Sequence, residues 1–315
     1  MPLAPILMTP AYRFGNMTPW GGENLRALYG KNIPDDRTGE SLEVSAIPGL
    51  ESRDENGCTL TELIEKYGEK LVGTQVDSPF PLLLKLLDAK DTLSVQVHPD
   101  DEYAKKAENK LGKTEAWHIL FAEPGAQLVY GVKENITKEE LMAASLQGAQ
   151  VEGLLRKVDV KAGETYFIPA GMVHAIGAGI VLYEIQQSSD VTYRFYDWER
   201  TDKNGNKREL HLEKAVAVTD VTTQLNAAAE KEIAPGHFRL LDEKYFQLDR
   251  LADFDGVLPA DSRRFAFITA TGKTTISWAD GSMDLPAGRT AFLPADGYDL
   301  QILSEGALIS YPSVQ

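Results

Sequence analysis

Gly163-Glu-Thr-Tyr-Phe-Ile-Pro-Ala-Gly-Met-Val-His174 is the stretch whose reading decides the fold. Gly163 permits a turn into an extended run. Thr165, Tyr166, Phe167 and Ile168 are β-branched or aromatic and favour a pleated strand. Pro169 cannot continue a ladder, and Gly171 can take the left-handed backbone that reverses the chain. His174 follows at the start of the next apolar segment, so the turn aims one imidazole from a rigid strand end. The bland alternative is a β-turn followed by an ordinary packed histidine.

The spacing Gly, five residues, Pro-x-Gly, two residues, His resembles the second motif of the cupin superfamily, in which that histidine binds a metal inside a small β-barrel. A fainter copy lies downstream. Gly288-Arg-Thr-Ala-Phe-Leu-Pro294-Ala295 keeps the frame, but Asp296 replaces Gly171 and no histidine follows. A second barrel with no metal site would leave such a trace. The expected fold is therefore mainly β: two cupin-like (jelly-roll) β-barrels with helices inserted around the first. The expected division is a catalytic domain over 1–235 and a cupin-like domain without a metal site over 236–315.

Composition narrows the function. The 315 residues are 43% hydrophobic and 25% charged, which is globular composition, enough for about two domains. The net charge of −15 disfavours nucleic acid and anionic membranes, which need basic surface. An anionic small substrate stays open if its site gathers local positive charge. Cys58 is the single cysteine. That excludes an intrachain disulfide and a cysteine-rich zinc site, and it suits a reducing cytosol. The opening Met-Pro-Leu-Ala-Pro-Ile-Leu-Met-Thr-Pro10 has no basic region and is broken by proline, so it reads as a poor signal peptide. No stretch approaches the length of a membrane span. A cytoplasmic location is expected.

Along the chain, residues 1–50 read as short strands and loops, with Ser41–Ile47 the clearest strand. Thr59 with Glu62 forms a capping box for a helix to about Lys70. Pro81–Leu87 is an apolar run, read as a buried strand. Thr92–His98 alternates: Leu93, Val95 and Val97 share one face, and Ser94, Gln96 and His98 the other. That polar face can meet water or line a barrel. Asp100 or Asp101 caps a helix to about Leu111, with Gly112 closing it. Strands are expected at 112–121 and 126–132. A helical region over 137–156 starts from Thr137 with Glu140. Strands resume from Lys157 to about Asp197. Leu212–Val218 is a short helix, 222–235 a connection, and the last eighty residues are strands between Gly, Asp and Pro turns.

Several of these strands carry metal-type donors, and zinc accepts histidine nitrogen and carboxylate oxygen. Gln96 and His98 share a face, Glu115 lies on the next strand, and His174 leaves the turn. On a 112–121 strand Lys113, Glu115 and Trp117 share a face while His118 points away, so His118 is excluded as a ligand. His211 and His237 sit near polar connections and read as structural.

Seven ordered blocks then carry a specific resemblance: Tyr12-Arg-Phe-Gly15, Trp20-Gly-Gly22, Gly39-Glu-Ser-Leu-Glu-Val-Ser45, Ser94-Val-Gln-Val-His-Pro-Asp-Asp101, Gly112-Lys-Thr-Glu-Ala-Trp117, Ile168-Pro-Ala-Gly-Met-Val-His-Ala175 and Glu184-Ile-Gln-Gln-Ser-Ser-Asp-Val-Thr-Tyr-Arg194. Together they resemble the type I mannose-6-phosphate isomerases, in their short bacterial form. Two departures stand out. Leu42 replaces an expected Trp, and Gly112-Lys-Thr-Glu replaces the Asn-His-Lys-Pro-Glu of the long forms.

The resemblance implies one Zn²⁺ held by His98, Glu115 and His174, with Gln96 as an additional oxygen ligand, and Arg194 in the active site. It also implies a sugar-phosphate substrate, mannose 6-phosphate or fructose 6-phosphate. Moving a proton between C1 and C2 through an enediolate needs positive charge at the developing oxyanion, which Zn²⁺ and Arg194 can supply. It also needs a base, for which Glu184 is a candidate. Lys113 would hold the phosphate or assist proton transfer. The plainer alternatives are salt bridges: Glu184 with Lys113, and Arg194 with Asp190. A non-catalytic cupin that binds a sugar phosphate is the competing function. An oxygen-dependent dioxygenase fits less well, because redox iron wants a His-rich site.

Overall fold

The computed structural model describes residues 1–76, 79–201 and 204–314. The molecule is mainly β, as expected, and antiparallel pairing runs through its sheets. Two sheets face each other in the first lobe. One runs, in spatial order, Ala11–Phe14, Thr38–Val44, Leu82–Ala89, Ile180–Gln187, Glu115–Ala122 and Thr165–Ile168. The other runs Tyr193–Tyr196, Val95–Val97, His174–Ile176, Gln127–Val132 and Leu155–Asp159. Leu87, Trp117 and Leu182 of the first meet Leu128, Tyr130 and Ile176 of the second in a shared core.

Strand period explains why Pro81–Leu87 is so apolar. Leu82, Leu84 and Leu86 point outward with Tyr183 and Ile185, onto a core shared with Phe267, Phe292 and Leu308 of the second lobe. Leu83, Lys85 and Leu87 point inward, with Glu184 beside them, and line a cavity. The strand is buried on both faces, so the usual polar alternation is missing. The outer face of the five-stranded sheet (Val95, Val97, Phe195) is covered by Leu141 and Ala215 from the helices Lys138–Leu146 and Leu212–Val218.

The second lobe is one large sheet. Its two long strands, Phe246–Leu258 and Leu300–Pro312, pair along their length. The register stays constant throughout, with Ala252 facing Gly306 and Phe254 facing Ser304, and Asp253 between them takes φ +46°. The sheet packs over its own core of Ile268, Ile276, Leu285 and Ile302. The chain's first strand, Ile6–Leu7, pairs with Thr290–Leu293 of this lobe.

Local differences from the sequence reading have local causes. A helix at Asn24–Tyr29 interrupts the first fifty residues. Its start is tied by Asp88, which accepts the Asn24 amide at 2.6 Å and its side-chain amide at 3.0 Å; a partner 64 residues away leaves no local cap in sequence. Thr59 and Thr137 both form the expected capping boxes. The first of these helices breaks at Gly68, and the second ends at Leu146, giving way to a 3₁₀ segment. The helix Asp101–Glu108 ends at Asn109, with φ +52°, rather than at Gly112. Gly112 serves close approach instead: a Cβ there would lie 2.5 Å from the Asp100 carbonyl carbon. The 222–235 connection contains a strand, Lys231–Ala234, which turns into His237–Asp242. No described helix is long and apolar enough to cross a membrane.

Candidate metal centre and cationic cavity

The Pro169–Gly171 turn forms as its residues dictate. Gly171 takes φ +89°, and its amide donates to the His98 carbonyl at 2.8 Å. One turn thus fixes two strand ends, those that carry His98 and His174. Between the strands, His174 lies directly opposite Gln96, and Gln96 opposite Arg194. The polar face of Ser94, Gln96 and His98 turns to the interior.

His98, Glu115 and His174 converge, with one donor atom of each within 4.8 Å of the others. The two Nε2 atoms are 3.2 Å apart, and the Glu115 oxygens stand 3.6 Å from His98 Nε2 and 3.4 Å from His174 Nε2. His174 Nδ1 lies 2.8 Å from the Met172 carbonyl. A carbonyl only accepts, so the proton sits on Nδ1 and the Nε2 lone pair faces the trio, the arrangement a metal needs. Burial, reinforced by Lys113, drives His174 down to about 3 and His98 well below its ordinary range, so both rings are neutral. Burial pushes the Glu115 carboxyl up, against the pull of Lys113. Glu115 Oε1 is buried and accepts no hydrogen bond among the described residues. Two neutral imidazoles and an under-bonded carboxylate oxygen are a donor set that zinc fits.

Lys113 stands between the trio and the cavity. Its ammonium donates to His98 Nε2 at 2.8 Å and contacts Glu115 Oε2 at very short range. The cavity, about 140 Å³, is walled by Gln96, Lys113, Glu184 and Arg194 together with Arg13, Lys85 and Arg208. Glu184 points inward as expected, but its partner is chiefly Lys85, at 2.9 Å, with the Trp117 indole N–H at 3.0 Å. Burial raises that carboxyl, and Lys85 and Lys113 more than offset the rise, so Glu184 is held low and ionised. Lys85 also faces Glu40 at 3.7 Å, and Glu40 binds Arg13 at 3.2 Å.

Arg194 does not pair with Asp190, which binds Lys110 at 2.6 Å. Its guanidinium donates to Ser94 Oγ at 3.2 Å and to the Glu209 carbonyl at 2.7 Å. Both acceptors are neutral, so among the described residues the charge is oriented without being neutralised by a contacting carboxylate. Here an acidic chain concentrates the local positive charge that an anionic ligand requires.

The other histidines lie elsewhere. His118 is buried on the opposite face, with Nδ1 2.9 Å from Thr165 Oγ1. His211 contacts the Arg194 amide, and His237 binds Asp249 at 2.9 Å. Sequence reasoning passed over Lys85, Glu40, Arg13 and Arg208. Lys85 had a signal: a lone charge in an apolar strand, on the parity of Leu83 and Leu87. Arg208 arrives from a loop anchored on Asp197 at 2.7 Å and had none.

Comparison with known proteins agrees with this geometry. Residues 12–119 match the family described as phosphomannose isomerase type I, catalytic domain. The mannose-6-phosphate isomerase of Streptococcus mutans is 46% identical over 212 residues, 66% of each chain. YvyI of Bacillus subtilis, which has the same activity in its provisional name, is 36% identical over 98% of this chain and 99% of its own. The solved structure of the Bacillus subtilis mannose 6-phosphate isomerase superposes with a TM-score of 0.90, at 35% identity, over 98% of this chain and 99% of that one. Fold, inward-facing site residues and near full-length similarity agree: this chain belongs to the type I mannose-6-phosphate isomerase family.

Proposed function

We propose that the protein interconverts mannose 6-phosphate and fructose 6-phosphate, with one Zn²⁺ held by His98, Glu115 and His174 and with Gln96 as an additional oxygen ligand. The observation that carries this reading is the buried trio behind Lys113, beside a cavity where Arg194 has no carboxylate partner among the described residues. When bound, the metal supplies charge stabilisation for an oxygen that becomes anionic. The chain's own residues do the rest.

Arg194 presents a fixed fork of donors, pre-oriented by Ser94 and the Glu209 carbonyl, to substrate oxygens. Lys113 places an ammonium at the cavity wall, where it binds an anionic oxygen or passes a proton. Glu184 is the carboxylate on the same wall and takes the proton that moves between C1 and C2. Held low by Lys85, it is a weak base. The enediolate route therefore depends on positive charge around the carbonyl to acidify the C–H bond. We assign catalysis to residues 1–235, leave 236–315 without a metal site, and place the protein in the cytoplasm on its single cysteine.

The test is an assay of fructose 6-phosphate formed from mannose 6-phosphate by zinc-loaded protein, before and after chelation. Product formation that chelation abolishes and zinc restores is expected. Loaded protein that binds the sugar phosphate without turnover would overturn the reading in favour of a binding module.

A further inference from the structure

Gln186-Gln-Ser-Ser189 is part of the family-like pattern, yet the mechanism above uses none of it. Its contacts run to the segment that carries Lys113. Gln187 Oε1 accepts the Thr114 amide at 2.9 Å, and the Gln187 amide donates to the Thr114 carbonyl at 3.0 Å. Gln187 Nε2 donates to Asp101 Oδ1 at 2.9 Å, and that same oxygen accepts the Gly112 amide at 2.8 Å. The Lys113 amide donates to the Pro99 carbonyl at 3.0 Å. Three consecutive amides, 112 to 114, are therefore tied down immediately before Glu115. The fit leaves no slack at Gly112, which packs on the Asp100 backbone.

The chain of contacts continues into the second lobe. Asp101 Oδ2 accepts the Tyr245 hydroxyl at 2.7 Å, and Lys244 Nζ donates to that hydroxyl at 3.1 Å. Burial raises the Asp101 carboxyl, but the bonds from Tyr245, Gly112 and Gln187 together hold it below its usual range. The carboxylate stays charged, and hydrogen bonds to a charged group are the stronger kind. A long, flexible lysine side chain is only as well placed as the backbone it leaves.

We propose that Gln187, Asp101 and Tyr245 are positioning residues, through which the second lobe fixes where the Lys113 ammonium stands in the cavity. This rests on the isomerase reading, in which Lys113 acts on the substrate. It assigns the second lobe a part in turnover although it contributes no residue to the metal trio.

The test compares Gln187→Met, which keeps length and loses both side-chain bonds, Gln187→Glu, which keeps the acceptor for Thr114, and Tyr245→Phe, which removes one hydroxyl. At saturating zinc, kcat is expected to fall about 10²-fold in Gln187→Met, the scale of a misplacement of about 1 Å. Gln187→Glu should recover part of that loss, and Tyr245→Phe should lose about 3–10-fold. KM should stay within about twofold and zinc content should match the parent, since the trio itself is untouched. Adding Tyr245→Phe to Gln187→Met should cost little more, because both act through Asp101. Hydrogen exchange at the 111–116 amides should quicken in the same order as kcat falls. Parental kcat per bound zinc, whether exchange and melting temperature change or not, would overturn the proposal and leave the contacts purely structural. A zinc-loaded parent without isomerase activity would instead defeat the functional reading, while exchange in Tyr245→Phe still reports whether the second lobe holds the segment.

Discussion

The ladder that carries Glu115 has a counterpart in the second lobe, and the two differ in a telling way. In the first, Thr165 faces His118, Tyr166 faces Trp117 and Ile168 faces Glu115. In the second, Thr290 faces Thr269, Ala291 faces Ile268 and Leu293 faces Ala266. Both outgoing strands start from a glycine of positive φ, +92° at Gly163 and +81° at Gly288. Glu115 of the buried trio thus corresponds to Ala266, and Trp117, which holds Glu184, corresponds to Ile268. Where the first repeat arrives at His174, the second arrives at Asp299, whose carboxylate accepts the Ala260 amide at 2.9 Å. Turn and ladder come from backbone geometry that both sequences satisfy. The chemistry comes from a few inward side chains that only the first retains.

The largest expected effect separates the two repeats outright. His174→Ala should release zinc and lower kcat by roughly 10³-fold or more, with the fold intact, because one of the proposed protein donors is gone. Asp299→Ala should leave zinc and kcat at parental values. Elemental analysis and the isomerase assay read both, and zinc retained in His174→Ala would remove that residue from the ligand set. Next comes Arg194→Ala, expected to keep zinc and lose about 10²–10³-fold in kcat, the scale of an oxyanion donor. Arg194→Lys should recover only part of it. A large rise in KM at near-normal kcat would instead assign Arg194 to ground-state binding.

Stability sharpens the comparison in the opposite sense. A Cβ on Gly288 would lie 2.4 Å from Tyr29 Cβ of the first lobe, whereas nothing among the described residues lies within 4 Å of one on Gly163. Gly288→Ala should therefore cost about 2–4 kcal/mol, from strain plus overpacking. Gly163→Ala should cost about 1 kcal/mol, from strain alone. Denaturant midpoints check the order, and equal losses would show that the second repeat is not pinned against the first lobe.

A smaller effect concerns His118, whose counterpart is Thr269. Burial lowers His118 to about 4 from 6.5. The unfolded chain then binds more protons between these values, so stability is complete above pH 6.5 and falls as pH drops toward 4. At pH 5 the loss is about 2 kcal/mol relative to pH 8. His118→Thr, which copies the second repeat, should flatten that slope by this amount in zinc-saturated protein. An unchanged slope would mean the acid limb comes from other groups.

The fold was legible because its main cues are local. Gly163, Pro169 and Gly171 act on their own backbone, and Thr59 and Thr137 cap within three residues. The convergence of His98, Glu115 and His174 was legible in part for a similar reason: parity on Val95–Val97 and on the Glu115 strand assigns faces without knowledge of the partners, and the family resemblance joined the three. What stayed hidden depends on distant partners. Asn24–Tyr29 begins on Asp88, and Glu184 is set by Lys85, a strand neighbour 99 residues away. Arg208 comes from a loop whose position nothing periodic encodes.

The outward face of Leu82–Ala89 has a consequence for how the protein is made. Leu84 and Leu86 share their core with Phe292 and Leu308 of the second lobe, besides residues of the first, and among the described residues Ile6–Leu7 takes its strand pairing from Thr290–Leu293. At bacterial or eukaryotic synthesis rates of about 5–20 residues per second, the interval is on the order of tens of seconds. Throughout it, the emerging first lobe lacks part of the cover over that apolar sheet face. Ribosome-bound nascent chains stalled before residue 290 should therefore recruit holdase chaperones more strongly than the released, complete chain does.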